Sequence, residues 1–234
     1  ALDSSALGGM YANKIVFVGT EAGLGVNNAG QIAASAGNVQ IDANGMLTNS
    51  GTISSNGANN SVALSATAVK NSGTISSQGN NHIATTGATQ NSGTIAAGRE
   101  LKLTATDIDN SNGTLNGQRV DLAADSLNNT NGKIQQTGSQ ALALNAGTLN
   151  NSNGGLIGYE PLDMGSGSGS TDNTGSNTNT GTGTSSTPST AIGGGTASIV
   201  QPVPVALAAG IITVKNTLEN NAGQTTANGR IDPA

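Results

Sequence analysis

A right-handed parallel β-helix of about 20 residues per coil is the fold this sequence predicts. Three observations carry that expectation: a glycine-centred motif recurring at a near-constant interval, a short alternating apolar segment ahead of each copy, and the near-absence of aromatic side chains. Only Tyr11, Phe17 and Tyr159 are aromatic, whereas Gly supplies 35 of the 234 positions. Large aromatics dominate the cores of compact domains by buried area. Without them the core must be thin and built from Ile, Val, Leu and Ala. Low charge with abundant Gly, Ser, Thr and Asn elsewhere signals disorder, so order here must come from repetition.

The motif is Asn-x-Gly-x-Ile, with the variant Asn-x-Asn-Gly-x-Leu/Ile. It places glycines at Gly30, Gly51, Gly73, Gly93, Gly113, Gly132 and Gly154, separated by 21, 22, 20, 20, 19 and 22 residues. A further copy centres on Gly223. The segments before these glycines alternate: Val39-Gln40-Ile41, Val62-Ala63-Leu64, Leu101-Lys102-Leu103, Val120-Asp121-Leu122 and Leu142-Ala143-Leu144. A third apolar station follows at Leu47, Val69, Ile108, Leu127, Leu149 and Leu218. Period-two alternation reads as β-strand, and three short strands per repeat are the three faces of one coil. Helix fails as an alternative, because no window keeps an i, i+3, i+4 apolar stripe and Gly recurs too often.

Coils that stack at the strand spacing of about 4.8 Å put like residues above one another. Asn49, Asn71 and Asn91 are thereby expected to form an amide ladder at the corner. The glycines after them are expected to supply a positive φ. The fourth coil is the weakest, with Ile83 alone in its strand and Thr89 at the third station.

Three segments are read along the chain. Residues 1–160 are β-helix repeats, the first coil at 11–32. Residues 161–198, almost wholly Gly, Ser, Thr and Asn, are a flexible linker. Residues 199–234 hold an extended apolar segment and then a resumed coil, since Ile211 to Gly223 spans the same 12 residues as Leu101 to Gly113.

Composition excludes several functions. The net charge of −5 is spread over 13 acids and 8 bases with no basic cluster, so the footprint of a nucleic-acid binder is missing. There is no Cys, hence no disulfide framework or thiol chemistry. The longest apolar stretch, Val203 to Val214, contains Pro204 and Gly210 and is too short for a transmembrane segment. No signal peptide is visible at Ala1, so a secreted reading makes this an internal piece.

Candidate chemistry is sparse. The sole histidine, His82, sits beside Ile83 in an alternating strand and points outward. Asp107, Asp109, Asp121 and Asp125 invite reading as a Ca²⁺ or acid-catalysis cluster, but solvation explains them, with Asp121 one coil above Lys102 as a weak exposed pair. Gly23-Leu24-Gly25 and Gly193-Gly194-Gly195 lack the helix and Lys of a phosphate loop. The matches to the glycosylation sequon at Asn59, Asn128 and Asn150 are read as coincidence in a chain this rich in Asn, Ser and Thr. No catalytic, cofactor or metal residue is assigned, and the chain is read as non-enzymatic.

The opening Ala6-Leu7-Gly8-Gly9-Met10-Tyr11-Ala12-Asn13-Lys14-Ile15, with Val18-Gly19-Thr20-Glu21-Ala22-Gly23-Leu24-Gly25-Val26 after it, resembles the start of the stalk in filamentous-haemagglutinin-like exoproteins of two-partner secretion. The repeats that follow resemble that family's haemagglutinin repeats. The resemblance covers residues 1 to about 160 and, more weakly, 211 to 230. It implies a secreted, cell-surface β-helical shaft, exported through an outer-membrane partner and carrying a distal adhesin or contact-dependent growth inhibition toxin to a target-cell receptor or glycan. Two other readings compete: a glycan-binding segment with its own ligand, for which aromatic platforms are scarce, and a carbohydrate-active β-helix, for which no Asp/Arg/Lys cluster on one face is evident.

Overall fold

Alternation in each repeat produces strands that run parallel to the strand one coil earlier. A computed structural model describes residues 2–4, 8–159, 211–219, 224–225 and 231–233. These residues form strands and corners with no helix, and all belong to one compact unit. The result is an all-β parallel solenoid with three faces per coil. The linker expected at residues 161–198 and the corner expected at Gly223 lie outside the described residues.

The first face stacks Ile15–Val18, Val39–Asp42, Val62–Ala66 and Asn81–Thr85, then residues 101–104, 120–124 and 143–146. The second stacks Leu2–Ser4, Val26–Asn28, Met46–Asn49, Ala68–Asn71, Ala88–Asn91 and Asp107–Asp109, continuing through residues 126–128 and 148–150. The third stacks Gly9–Ala12, Gln31–Ala34, Thr52–Ser55 and Thr74–Ser77, residues 94–97 and 114–117, Lys133–Gln136 and Leu156–Tyr159. Pairing thus begins at Leu2, ahead of residues 11–32. Later in the chain, Ile211–Glu219 pairs in parallel with residues 143–150, and Gln224–Thr225 with Leu156 and Ile157.

Inward side chains line up in columns because each strand sits in register on the one before. The longest column on the third face runs Ile32, Ile53, Ile75, Ile95, Leu115, Ile134 and Ile157, all at most 2% exposed. On the first face Ile41, Leu64, Ile83, Leu103, Leu122 and Leu144 form another. Burying one such side chain is worth about 1.5–3 kcal/mol, so the core is a stack of modest equal increments. The fourth coil interrupts two columns. Asn81 stands between Val62 and Leu101, and Thr89 between Val69 and Ile108, both fully buried.

The last repeat is registered differently from the sequence expectation. Lys133 pairs with Leu156 and Ile134 with Ile157, so Ile157 fills the column and Leu156 is only half-buried. The Gly154-Gly155 pair adds one residue to this corner.

Candidate functional site: the stacked asparagine corner

Leu47, Thr48 and Asn49 alternate in, out and in, so the period of the second face delivers an asparagine into the corner. The same alternation places Asn28, Asn71 and Asn91. In the next coils the rungs are Asn110, Asn129 and Asn151, the first Asn of each Asn-x-Asn-Gly. All seven are at most 2% exposed. Each Nδ2 donates to the Oδ1 of the next rung, at 2.7, 2.7, 2.8, 2.7, 2.7 and 2.8 Å from Asn28 through to Asn151. The rungs are 21, 22, 20, 19, 19 and 22 residues apart.

From Asn49 to Asn129 the second amide hydrogen of each rung is shared between two carbonyls, a three-centre bond. Asn71, for example, donates to Gly73 O at 3.1 Å and to Thr94 O on the next coil at 3.2 Å. A buried amide left unpaired costs about 1–3 kcal/mol, and the ladder removes that cost along its length. Only at its head does an oxygen stay unpaired: Asn28 Oδ1 has no donor, and Ser4 occupies the preceding register position.

The glycines act by clearance rather than by torsion, which corrects the sequence expectation. Gly51, Gly73 and Gly93 do not have positive φ. A Cβ on Gly51 would collide with Gly30 O, one on Gly73 with Gly51 O, and one on Gly93 with Gly73 O. Gly113 and Gly132 likewise leave no space for a Cβ, against Asn91 O and Asn110 O. In the last repeat Gly155, not Gly154, occupies this position, against Asn129 O. Gly154 is instead a left-handed residue at φ 83° that bulges away from the stack.

In the longer corners the positive φ falls on Asn112, Asn131 and Asn153, at 61°, 52° and 51°, a conformation Asn tolerates better than most residues. Asn131 Nδ2 donates to Asn112 Oδ1 at 2.8 Å, giving a short outer ladder. A third polar line uses Asp109, Asn128 and Asn150, which are in register. Asp109 accepts from Ser111 Oγ at 2.5 Å, and Asn128 accepts from Thr130 Oγ1 at 2.7 Å.

One buried contact has no sequence signature. Gln136 is 2% exposed and its Oε1 accepts from the Val120 backbone N–H at 2.9 Å. Its amide also donates to the carbonyls of Gly138 and Gln140. Thr137 and Gly138 still donate to Gly117 O and Gln118 O in the coil below, but strand pairing resumes only at Ala143 opposite Asp121, and between them the Gln136 side chain supplies the acceptor for Val120. Its inward place follows from alternation, but only the loop length, read against the neighbouring coil, would have singled it out.

The candidates for chemistry are dispersed. His82 is exposed, between Ala63 and Lys102 in register, with no side-chain hydrogen bond among the described residues. Asp107 accepts from Ser126 Oγ at 2.9 Å on the second face, while Asp121 lies on the first. Lys102 and Asp121 are in register, but Asp121 pairs with Arg119 at 3.8 Å, and Arg119 also meets Glu100 at 3.4 Å. With side chains 29–43% exposed, such pairs contribute little. Among the described residues no group of three or more His, Asp or Glu could hold a metal ion. An open groove of about 640 Å³ runs along Arg99, Glu100, Gln118 and Arg119.

No family model and no solved structure matches the chain. Curated proteins do. The chain is 62% identical over 55 residues to Toxin CdiA of Yersinia pestis, covering 24% of this chain and 2% of that protein. It is 57% identical over 51 residues to tRNA nuclease CdiA-2 of Burkholderia pseudomallei, covering 22% and 2%. It is 33% identical over 149 residues to tRNA nuclease CdiA of Escherichia coli strain STEC_O31, covering 63% and 4%. The chain therefore spans only a few hundredths of the length of the curated relatives it matches. Its homologues are CdiA toxins and CdiA tRNA nucleases and its fold is a parallel β-solenoid, so the resemblance to filamentous-haemagglutinin-like exoproteins of two-partner secretion and contact-dependent growth inhibition holds.

Proposed function

We propose that this segment is non-catalytic shaft: a rod within a much longer secreted surface protein that holds a distal adhesin or toxin away from the cell and toward a target. The observation that carries this reading is the unbroken seven-rung ladder from Asn28 to Asn151, with the continuous apolar column from Ile32 to Ile157 on the third face. Each coil is supported only by its neighbours, so stability and length grow coil by coil. Stepwise growth suits a chain that folds as it leaves an outer-membrane partner, because every new coil is templated by the last and needs no ATP. The relatives named as toxins and tRNA nucleases are far longer than this chain, which supports reading toxic activity and receptor recognition as tasks of other parts of such a polypeptide.

The test is a deletion in the full-length parent. Removing residues 50–71 joins Asn49 to Ser72-Gly73-Thr74 and deletes one whole coil with the ladder intact. Surface display and target-cell inhibition should persist. Removing residues 50–60 breaks the register and should abolish display. Loss of target-cell inhibition by the whole-coil variant, with display normal, would show that the segment has a ligand or activity of its own.

A further inference from the structure

Asn112-Gly113, Asn131-Gly132 and Asn153-Gly154 form a comparison built into the molecule. All three asparagines are exposed, left-handed and followed by Gly at the outer edge of the same corner. Asn112 and Asn131 bond each other through their amides and donate their backbone N–H to Thr130 O and Ser152 O; the difference that bears on the next peptide is the bond of the following Gly N–H. Gly113 N–H donates to Asn110 O and Gly132 N–H to Asn129 O, each at 3.1 Å. In the last corner the additional residue moves this bond one place along, so that Gly155 N–H donates to Ser152 O at 3.1 Å. Among the described residues, Gly154 N–H then has no acceptor. Space differs too. A Cβ on Gly113 or Gly132 would collide with the coil below, whereas one on Gly154 would meet nothing nearer than Asn131 Oδ1 at 3.9 Å.

We propose that Asn153 is a site of spontaneous deamidation, and that the Asn-Gly pairs at Asn112 and Asn131 are protected from it by the corner. In this reaction the Gly154 nitrogen attacks Cγ of Asn153. The N–Cγ bond forms, the bond from Cγ to the side-chain nitrogen breaks, and ammonia departs with the proton the Gly154 nitrogen gives up. Water then opens the succinimide at either carbonyl, leaving aspartate or isoaspartate. A left-handed Asn holds the next nitrogen away from its own side chain, so the Asn–Gly peptide must swing before attack. At Gly113 and Gly132 that swing breaks a backbone hydrogen bond and pushes a closely packed Cα against a carbonyl. Gly154 swings without either penalty.

The product carries a new carboxylate beside the outer rung Asn131. In the isoaspartyl form it also carries one more backbone atom in the corner. Asn153 is exposed, so the ladder rung Asn151 stays in place while the outer edge of the corner gains charge.

The experiment is peptide mass spectrometry on the whole chain after incubation in mildly alkaline buffer, separating Asn, Asp and isoAsp at each position. Native Asn153 should convert roughly three- to tenfold faster than Asn112 and Asn131, the factor one net hydrogen bond confers. In concentrated urea the three rates should converge. A variant lacking Gly154, whose Asn153 is followed by Gly155, should slow to the Asn131 rate while resisting limited proteolysis like the parent. Asn44-Gly45 and Asn56-Gly57, at other corners, report in separate peptides. Equal native rates at the three corners, a ratio unchanged by urea, or fast conversion in a folded variant lacking Gly154 would each overturn the proposal. If that variant does not fold, the urea comparison alone decides.

Discussion

Asn91 and Asn110 are joined at 2.7 Å as adjacent rungs, although the corners they open differ in length. Asn91 is followed by Ser92-Gly93, and Asn110 by Ser111-Asn112-Gly113. The inserted residue loops outward at Asn112, and the ladder passes through the change undisturbed.

Removing a rung should therefore cost far more than removing the loop beside it. Asn110→Ala deprives Asn91 of its acceptor and Asn129 of its donor, and should destabilise by about 2–5 kcal/mol. Asn112→Gly, at an exposed left-handed position, should stay within about 0.5 kcal/mol. Chemical denaturation of both variants checks the contrast, and similar losses would mean that the ladder adds no stability.

Coil four should be the softest interior coil. Asn81 is fully buried with its Oδ1 unpaired, Ser77 Oγ nearby in sequence is also unpaired, and Thr89 replaces an aliphatic residue. Hydrogen exchange should show lower protection at residues 81–91 than in the coils on either side. Asn81→Leu with Thr89→Val fills both columns with apolar side chains and should raise stability by about 1–3 kcal/mol. Uniform protection across the coils, or no gain in the double variant, would count against this account.

Clearance and torsion at glycine can be separated by substitution. Gly73→Ala places a methyl against Gly51 O within a stacked corner and should prevent the coil from closing, with loss of folded yield. Gly154→Ala has open space and a φ of 83°, so it should cost only about 1–2 kcal/mol of backbone strain. Thermal unfolding and soluble yield measure both. If the two alanines behave alike, torsion matters at both sites.

The coil and its columns were legible because one stacking rule repeats in the sequence. The glycine interval marks the coil, and alternation marks Leu103 over Leu122 and Val69 over Leu47. What the corner glycines do was not legible, since a bare Gly letter does not distinguish a backbone torsion from a collision with the coil below. Gly154 and Gly155 are adjacent, and only strand register shows which one sits over Asn129. Gln136 was missed for a related reason: its bond to Val120 exists because the following loop is longer than its counterpart one coil earlier. The exposed charges gave no guide to pairing, because Arg119 reaches Asp121 along its own strand while Lys102, directly in register, does not.

Every rung of the ladder points the same way, oxygen toward Asn28 and amide hydrogens toward Asn151. The row of amides is therefore a vector, and the two ends of the solenoid are chemically unlike. An approaching coil with its own asparagine can continue the row only if it arrives in the same polarity. An inverted one sets oxygen against oxygen or hydrogen against hydrogen. Solenoid segments carrying this corner can be concatenated in a single sense, and two of them meeting end to end in reverse would repel at the one position where every correct junction is sealed.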